Sequence, residues 1–259
     1  MLRGLVDHRH PMGPLNVLLG LCSGMLAVMY ASFFLVFAAP TLLIPRGTRE
    51  RYNAWTNAGA SYAILRYAFL ADFDVQGRER LPERGQPYLV VANHRAFPDV
   101  LTLIWAAGAE GISKKMVFWF PAMGWLGYLG GAVFFDRKVP EERARAKEEA
   151  LFLMKRGVPL HVYPEGTRSR NGKLREKIHL GMLLAAYEAG IPLMPAAMWG
   201  TDRILPASLD GVRYRQTIRC HFGQLVRPED YEDGEAFALA AWEQVKAKVA
   251  VFEEEEAAT

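Results

Sequence analysis

Tyr88-Leu89-Val90-Val91-Ala92-Asn93-His94-Arg95-Ala96-Phe97-Pro98-Asp99 decides the fold. Its first five residues form a short apolar run, which reads as a strand buried on both faces. Pro98 then stands where a first helical residue is favoured. Asp99 falls in the positively polarised first turn, so a helix is expected from about Asp99 to Ala107. The stretch passes from a buried strand through a turn into a helix, and it delivers Asn93 and His94 to the C-terminal end of the strand.

Outward from this stretch the same alternation recurs. Met116 to Phe118, Ala132 to Phe135, Leu160 to Tyr163, Leu193 to Met198 and Thr217 to Phe222 are further expected strands. Between them, helices are expected at about Glu141 to Lys155, His179 to Ala189 and Glu235 to Phe252. That rhythm predicts an α/β fold with a central, mostly parallel or mixed sheet flanked by helices, over residues 72–259. With 259 residues, 51% of them hydrophobic, the chain can bury a core of that size and carry one appendage.

The appendage is residues 1–71. No charged side chain occurs from Pro11 to Pro45, and Leu15 to Ala39 is dominated by Leu, Val, Met, Ala and Phe. About 20 apolar residues cross the hydrocarbon core and a signal-peptide core is shorter, so this reads as a membrane-associated helical segment. Two arrangements fit: a transmembrane helix, or a helix within one leaflet paired with a second from about Glu50 to Leu70. A buried core helix is the alternative. Arg46, Arg49 and Arg51 follow the segment more densely than Arg3 and Arg9 precede it, which places the following domain on the cytoplasmic face if the segment spans.

Charge and cysteine usage narrow the class. The formal net charge is +3 with Glu253 to Glu256 gathered at the C-terminus, so the body is mildly basic, which suits an anionic membrane surface or a phosphorylated substrate. The acidic run itself reads as a solvated helix end. No nucleic-acid partner is expected. Cys22 and Cys220 are far apart with no C-x-x-C pair, and the six histidines are scattered, so neither a disulfide framework nor a metal site is expected.

His94 and Asp99 bracket the strand-to-helix turn. A carboxylate on Nδ1 of a histidine fixes the tautomer and stabilises the imidazolium formed when Nε2 takes a proton, the base half of a hydrolase triad with a substrate hydroxyl in place of the serine. The bland reading is a capping or packing histidine. Two more strand ends carry arginines, Phe135-Asp136-Arg137 and Tyr163-Pro164-Glu165-Gly166-Thr167-Arg168-Ser169, where open sheets bind ligands. Arginine's planar fork suits phosphate, so Arg137 and Arg168 are candidate clamps. Alternatively, Asp136 and Arg137 form a surface ion pair and Glu165 holds the Gly166 turn through backbone amides.

Asn93-His94-x-x-x-x-Asp99, Phe134-x-Asp136-Arg137, Pro164-Glu165-Gly166-Thr167-Arg168-Ser169 and Ile191-Pro192-Leu193-Met194-Pro195, in this order, closely resemble the glycerolipid acyltransferase family. Lys114-Lys115, Phe120-Pro121 and Gly124-Trp125 resemble its linker between the first two motifs. The resemblance implies that His94 is a general base and Asp99 its orienting partner. It implies a glycerol-phosphate site of Arg137, Glu165, Gly166 and Arg168, with Thr167, Lys115 and Lys177 completing the substrate-binding candidates. Pro195 would lie near the acyl donor, which is acyl-coenzyme A or acyl carrier protein, and no cofactor or metal is needed. The acceptor implied is a lyso-glycerolipid at the bilayer, foremost 1-acylglycerol-3-phosphate giving phosphatidic acid. Many relatives carry a lysine where this chain has His179, two before Gly181, which leaves the acceptor open; another lyso-lipid, or hydrolysis of a lipid ester or thioester, is the alternative. No G-x-S-x-G elbow occurs, so a serine route is not expected.

Overall fold

The computed structural model describes residues 14–169, 173–205 and 212–258. Arg3 and Arg9, the sparser basic flank, lie outside them. Helix α1 (Pro14–Ala38) continues as a 3-10 turn, Ala39–Leu43, and α2 (Thr48–Ala63) follows, ending in a π turn, Ile64–Ala68. Then come β1 (Asp72–Gln76), β2 (Leu89–Ala92), α3 (Pro98–Ala107), β3 (Glu110–Lys114), a 3-10 turn at Lys115–Trp119, α4 (Met123–Gly130) and β4 (Val133–Phe135). The chain closes with α5 (Pro140–Met154), β5 (Leu160–Val162), α6 (Gly181–Glu188), β6 (Leu193–Trp199), α7 (Thr201–Ile204), β7 (Thr217–Phe222) and α8 (Gly234–Ala257).

The seven strands form one mixed sheet in the order β1-β7-β6-β2-β5-β3-β4, parallel throughout except for the antiparallel β6–β7 pair. This is the expected α/β architecture. Side chains alternate between faces along each strand. Val90 and Ala92 of β2 therefore join Met194, Ala196 and Met198 of β6 in a core under α1 to α4. Leu89 and Val91 join Leu193 and Ala197 in a second core under α5, α6 and α8. β2 and β5 lie side by side at the centre.

Three elements differ from expectation. Met116 to Phe118 is not a strand but part of the 3-10 turn, and the strand lies upstream as β3. Glu110 and Gly111 made that strand look polar, yet Glu110 is buried because Asn57 of α2 donates to it at 2.5 Å. Strand β1 pairs in parallel with β7 at the sheet edge without a long apolar run. Helix α4 forms despite Gly124, Gly127 and Gly130, and Gly130 is required there because a Cβ would collide with the Asn57 amide and Glu110 carboxylate. The acidic tail is also more than a solvated end: Glu255 pairs with Arg219, and Glu256 pairs with Arg203 and accepts from Trp199 Nε1.

Helix α1 is long and apolar enough to cross a bilayer. Its small residues Ala27, Ala31 and Ala38 are buried against the protein, while Met25, Met29, Phe33 and Phe37 are exposed. Helix α2 packs against it and, through Asn53 and Asn57, reaches the carbonyls of Leu129 and Leu126 on α4. The arginine flank is partly spent within the fold: Arg46 pairs with Glu149 and Glu50, and Arg49 is buried against Glu50.

Candidate active site

The parallel strands deliver their C-terminal ends to one edge of the sheet, and the turns after β2, β4 and β5 meet there. In the first turn, His94 Nδ1 lies 2.9 Å from Asp99 Oδ2. The same oxygen accepts the backbone N–H groups of Arg95 at 2.6 Å and Ala96 at 2.8 Å. Asp99, fully buried in the first turn of α3, thus folds the whole turn around its carboxylate. The His94 side chain is 15% exposed, and Nε2 makes no hydrogen bond among the described residues. A carboxylate-held Nδ1–H leaves Nε2 as the lone-pair nitrogen, open to a proton donor from outside.

The turn is bolted on every side. Asn93 exchanges two hydrogen bonds with the Met198 backbone of β6, at 3.0 and 2.7 Å. Arg95 makes a fork-to-fork pair with Asp202 of α7, both contacts 3.0 Å, while its guanidinium lies over Trp199. Glu165 Oε1 accepts the His94 N–H at 2.8 Å, Oε2 accepts the Arg175 N–H at 3.3 Å, and Ser169 N–H donates to the His94 carbonyl. Glu165 is buried, which raises its carboxyl pKa against the pull of these amides. Glu165 is thus a backbone brace, but of the His94 turn and of Arg175 rather than of the Gly166 turn, whose N–H is taken by the Tyr163 carbonyl.

Gly166 turns the chain after Glu165 with φ +70. Its N–H is taken by the Tyr163 carbonyl, and Arg137 donates to the Gly166 carbonyl. Asp136 accepts from the Lys138 N–H, so Asp136 and Arg137 do not form the surface pair weighed above. A Cβ on Gly166 would fall 3.0 Å from His179 Nε2 and 3.8 Å from Arg137 Nη1, so these two basic groups share the surface of this turn. Arg168 makes no hydrogen bond or ion pair among the described residues, and neither does the exposed Lys177. Lys115 pairs with Glu142, which also accepts the Asp136 N–H, so it stands beside the Arg137 turn. Thr167 is exposed at the same turn. Pro195 lies within β6, in register with Val91.

Two rings of the site escape motif reading. Tyr163, just past the end of β5, stacks on the His94 ring, and His161, two residues earlier within β5, meets Tyr163 edge-on at 5.2 Å. Burial holds His161 near pKa 4, so it is neutral, with Nδ1 2.8 Å from the Ala109 carbonyl. The alternation His161-Val162-Tyr163 leading into Pro164 is the signal that could have shown this pair.

The chain is similar to known proteins. A family model described as Acyltransferase matches residues 72–199. The chain is 30% identical over 200 residues to the 1-acyl-sn-glycerol-3-phosphate acyltransferase BAT2, chloroplastic, of Brassica napus, covering 77% of this chain and 57% of that one. It is 30% identical over 147 residues to LPAT1, chloroplastic, the 1-acyl-sn-glycerol-3-phosphate acyltransferase of Arabidopsis thaliana, covering 56% and 41%. The chain thus spans only part of the length of these relatives. The crystal structure of the 1-acyl-sn-glycerophosphate acyltransferase PlsC from Thermotoga maritima superposes with a TM-score of 0.79 at 26% identity, covering 92% of this chain and 96% of that one.

Proposed function

We propose, from the match of residues 72–199 to the Acyltransferase family model, that the protein transfers a fatty acyl group from an acyl thioester to a hydroxyl of a lyso-glycerolipid. The observation that carries this reading is the His94–Asp99 pair, with Nδ1 held at 2.9 Å and Nε2 free at the C-terminal edge of the sheet. The acceptor hydroxyl gives its proton to Nε2 as its oxygen attacks the thioester carbonyl. The tetrahedral intermediate collapses, the carbon–sulfur bond breaks, and the imidazolium returns the proton to the departing sulfur. Asp99 stabilises the transient imidazolium, and no acyl-enzyme, metal or bound cofactor enters the sequence.

The preferred acceptor is 1-acylglycerol-3-phosphate, giving phosphatidic acid. Arg137 and His179 at the Gly166 turn, with Arg168 beside them in sequence, gather basic groups suited to a phosphomonoester. The donor is acyl-coenzyme A or acyl carrier protein. The exposed apolar face of α1 seats the enzyme on the membrane, and the arginines that follow it in the sequence favour the cytoplasmic side for the catalytic domain. A radiolabelled acyl thioester offered with lysophosphatidic acid and with lyso-lipids of other headgroups tests the reading. Label in phosphatidic acid supports it. Label only in free fatty acid makes the protein a hydrolase, and label only in another lipid moves the acceptor.

A further inference from the structure

The corner between the Lys115–Trp119 turn and α4 carries aromatic rings that no described part of the chain covers. Trp119 is 76% exposed, Met116 65% and Trp125 48%. Phe118 joins them, its ring 5.4 Å from Trp119 and 5.2 Å from Trp125. Contiguous exposed apolar groups of this size mark a contact surface. The corner is also firmly built. Ala122 has φ 58, a value that a residue with a Cβ rarely adopts, and a Cβ on Gly124 would overlap the Phe118 carbonyl. Such strain persists only where the surroundings hold it, and it gathers at functional segments.

Two features identify the occupant. Lys114 and Lys115 are exposed just before the aromatic residues. Lysine is depleted from protein interfaces, whereas lysine with tryptophan is the composition of the membrane–water boundary. The corner is also continuous with the anchor, since α4 packs against α1, whose Met29 and Phe33 are exposed. We propose that this corner is a second bilayer contact, made by the catalytic domain itself, seated at headgroup level in an anionic leaflet. Its base reaches the active site: the Phe120 ring lies 6.3 Å from Phe97, in the turn between His94 and Asp99. The leaflet is thereby brought beside Nε2, so that the acyl chain of an acceptor stays in the apolar phase while its hydroxyl reaches the base. This consequence rests on the acyltransfer reading; the contact does not.

Full-length protein in phosphatidylcholine–phosphatidylglycerol vesicles tests the contact, using lipids brominated near the headgroup to quench tryptophan. Trp119→Phe with Trp125→Phe should remove a large share of the bromine-quenchable emission, whereas Trp242→Phe, on the buried face of α8 in the other core, should leave it unchanged. Replacing Trp119 and Trp125 by Ser should lower turnover of a long-chain acceptor embedded in those vesicles and spare a short-chain acceptor dissolved as monomer. Emission from the corner quenched by aqueous acrylamide but not by brominated lipid would overturn the proposal, because the corner then stands in water. Shielding from both quenchers would overturn it too, placing a protein surface such as a second copy there. Quenching needs no turnover, so an inactive protein with bromine-quenched Trp119 and Trp125 defeats the reaction and leaves the contact standing.

Discussion

Tyr163 lies flat on His94, the ring centroids 3.9 Å apart and the planes 10° from parallel. Asp99 fixes one edge of the imidazole and Tyr163 fixes its face, so the ring has one orientation open to it. The Tyr163 hydroxyl takes no part in this, since it is buried without a hydrogen-bond partner.

Tyr163→Phe is therefore expected to keep kcat and to leave stability unchanged or raise it by about 1 kcal/mol, as an unpaired buried hydroxyl is removed. Tyr163→Ala should cost about 3–5 kcal/mol of stability through the cavity it leaves and lower kcat more than it changes KM. Thermal unfolding and steady-state kinetics on both variants check this. Equal loss of kcat in the two would show that the hydroxyl, not the stacked ring, matters.

His94→Ala should lower kcat/KM by about 10²–10⁴-fold with the fold retained, the usual worth of general-base assistance. Asp99→Asn should be damaging in two ways. An amide in place of the carboxylate no longer stabilises the imidazolium, and it replaces an oxygen that also accepts the Arg95 and Ala96 N–H groups. Circular dichroism beside single-turnover kinetics separates them; wild-type turnover in His94→Ala would defeat the mechanism.

Arg168→Ala should raise KM for lysophosphatidic acid roughly 10-fold or more, on the scale of a hydrogen bond to a charged group, while a lyso-lipid without a terminal phosphate is little affected. Arg137→Ala should do the same and in addition loosen the Gly166 turn, whose carbonyl Arg137 holds. Parallel kinetics with the two acceptors measure the difference, and a uniform loss with both would assign these arginines a structural role.

Gly166→Ala should cost about 1–3 kcal/mol, because φ +70 is a strained value for alanine and the new methyl meets the His179 ring. The displaced His179 should also weaken acceptor binding. Denaturant unfolding and KM together test this, and an unperturbed KM would remove His179 from the acceptor site.

Burial pushes the Glu110 carboxyl up to about 8, against the opposing pull of the Asn57 hydrogen bond. Folding therefore favours the protonated acid. The stability this group contributes is fully present below its unfolded value near 4.5 and is lost as pH rises through about 8. Glu110→Gln keeps an acceptor for Asn57 and carries no charge, so it should flatten the decline in melting temperature between about pH 4.5 and 8. Unfolding midpoints of both proteins across that window decide it; the same slope in both would mean that Glu110 is not the group responsible.

Sequence alone determined the local features: the buried run Tyr88 to Ala92, the helix started by Pro98 and Asp99, the His94–Asp99 spacing and the apolar reach of α1. Each is set by neighbours a few residues away, through periodicity, capping and the length of an apolar run. Tertiary structure alone decided the bracing. Glu165 holds His94 across 71 residues, Asn93 holds Met198 across 105, and Tyr163 covers a ring 69 positions upstream. The strand β3 was hidden for the same reason, since Glu110 is buried only because Asn57, 53 residues earlier, arrives to bond with it. Whether a polar group can leave water depends on the partner it meets, and that partner is supplied by the fold rather than by its neighbours in sequence.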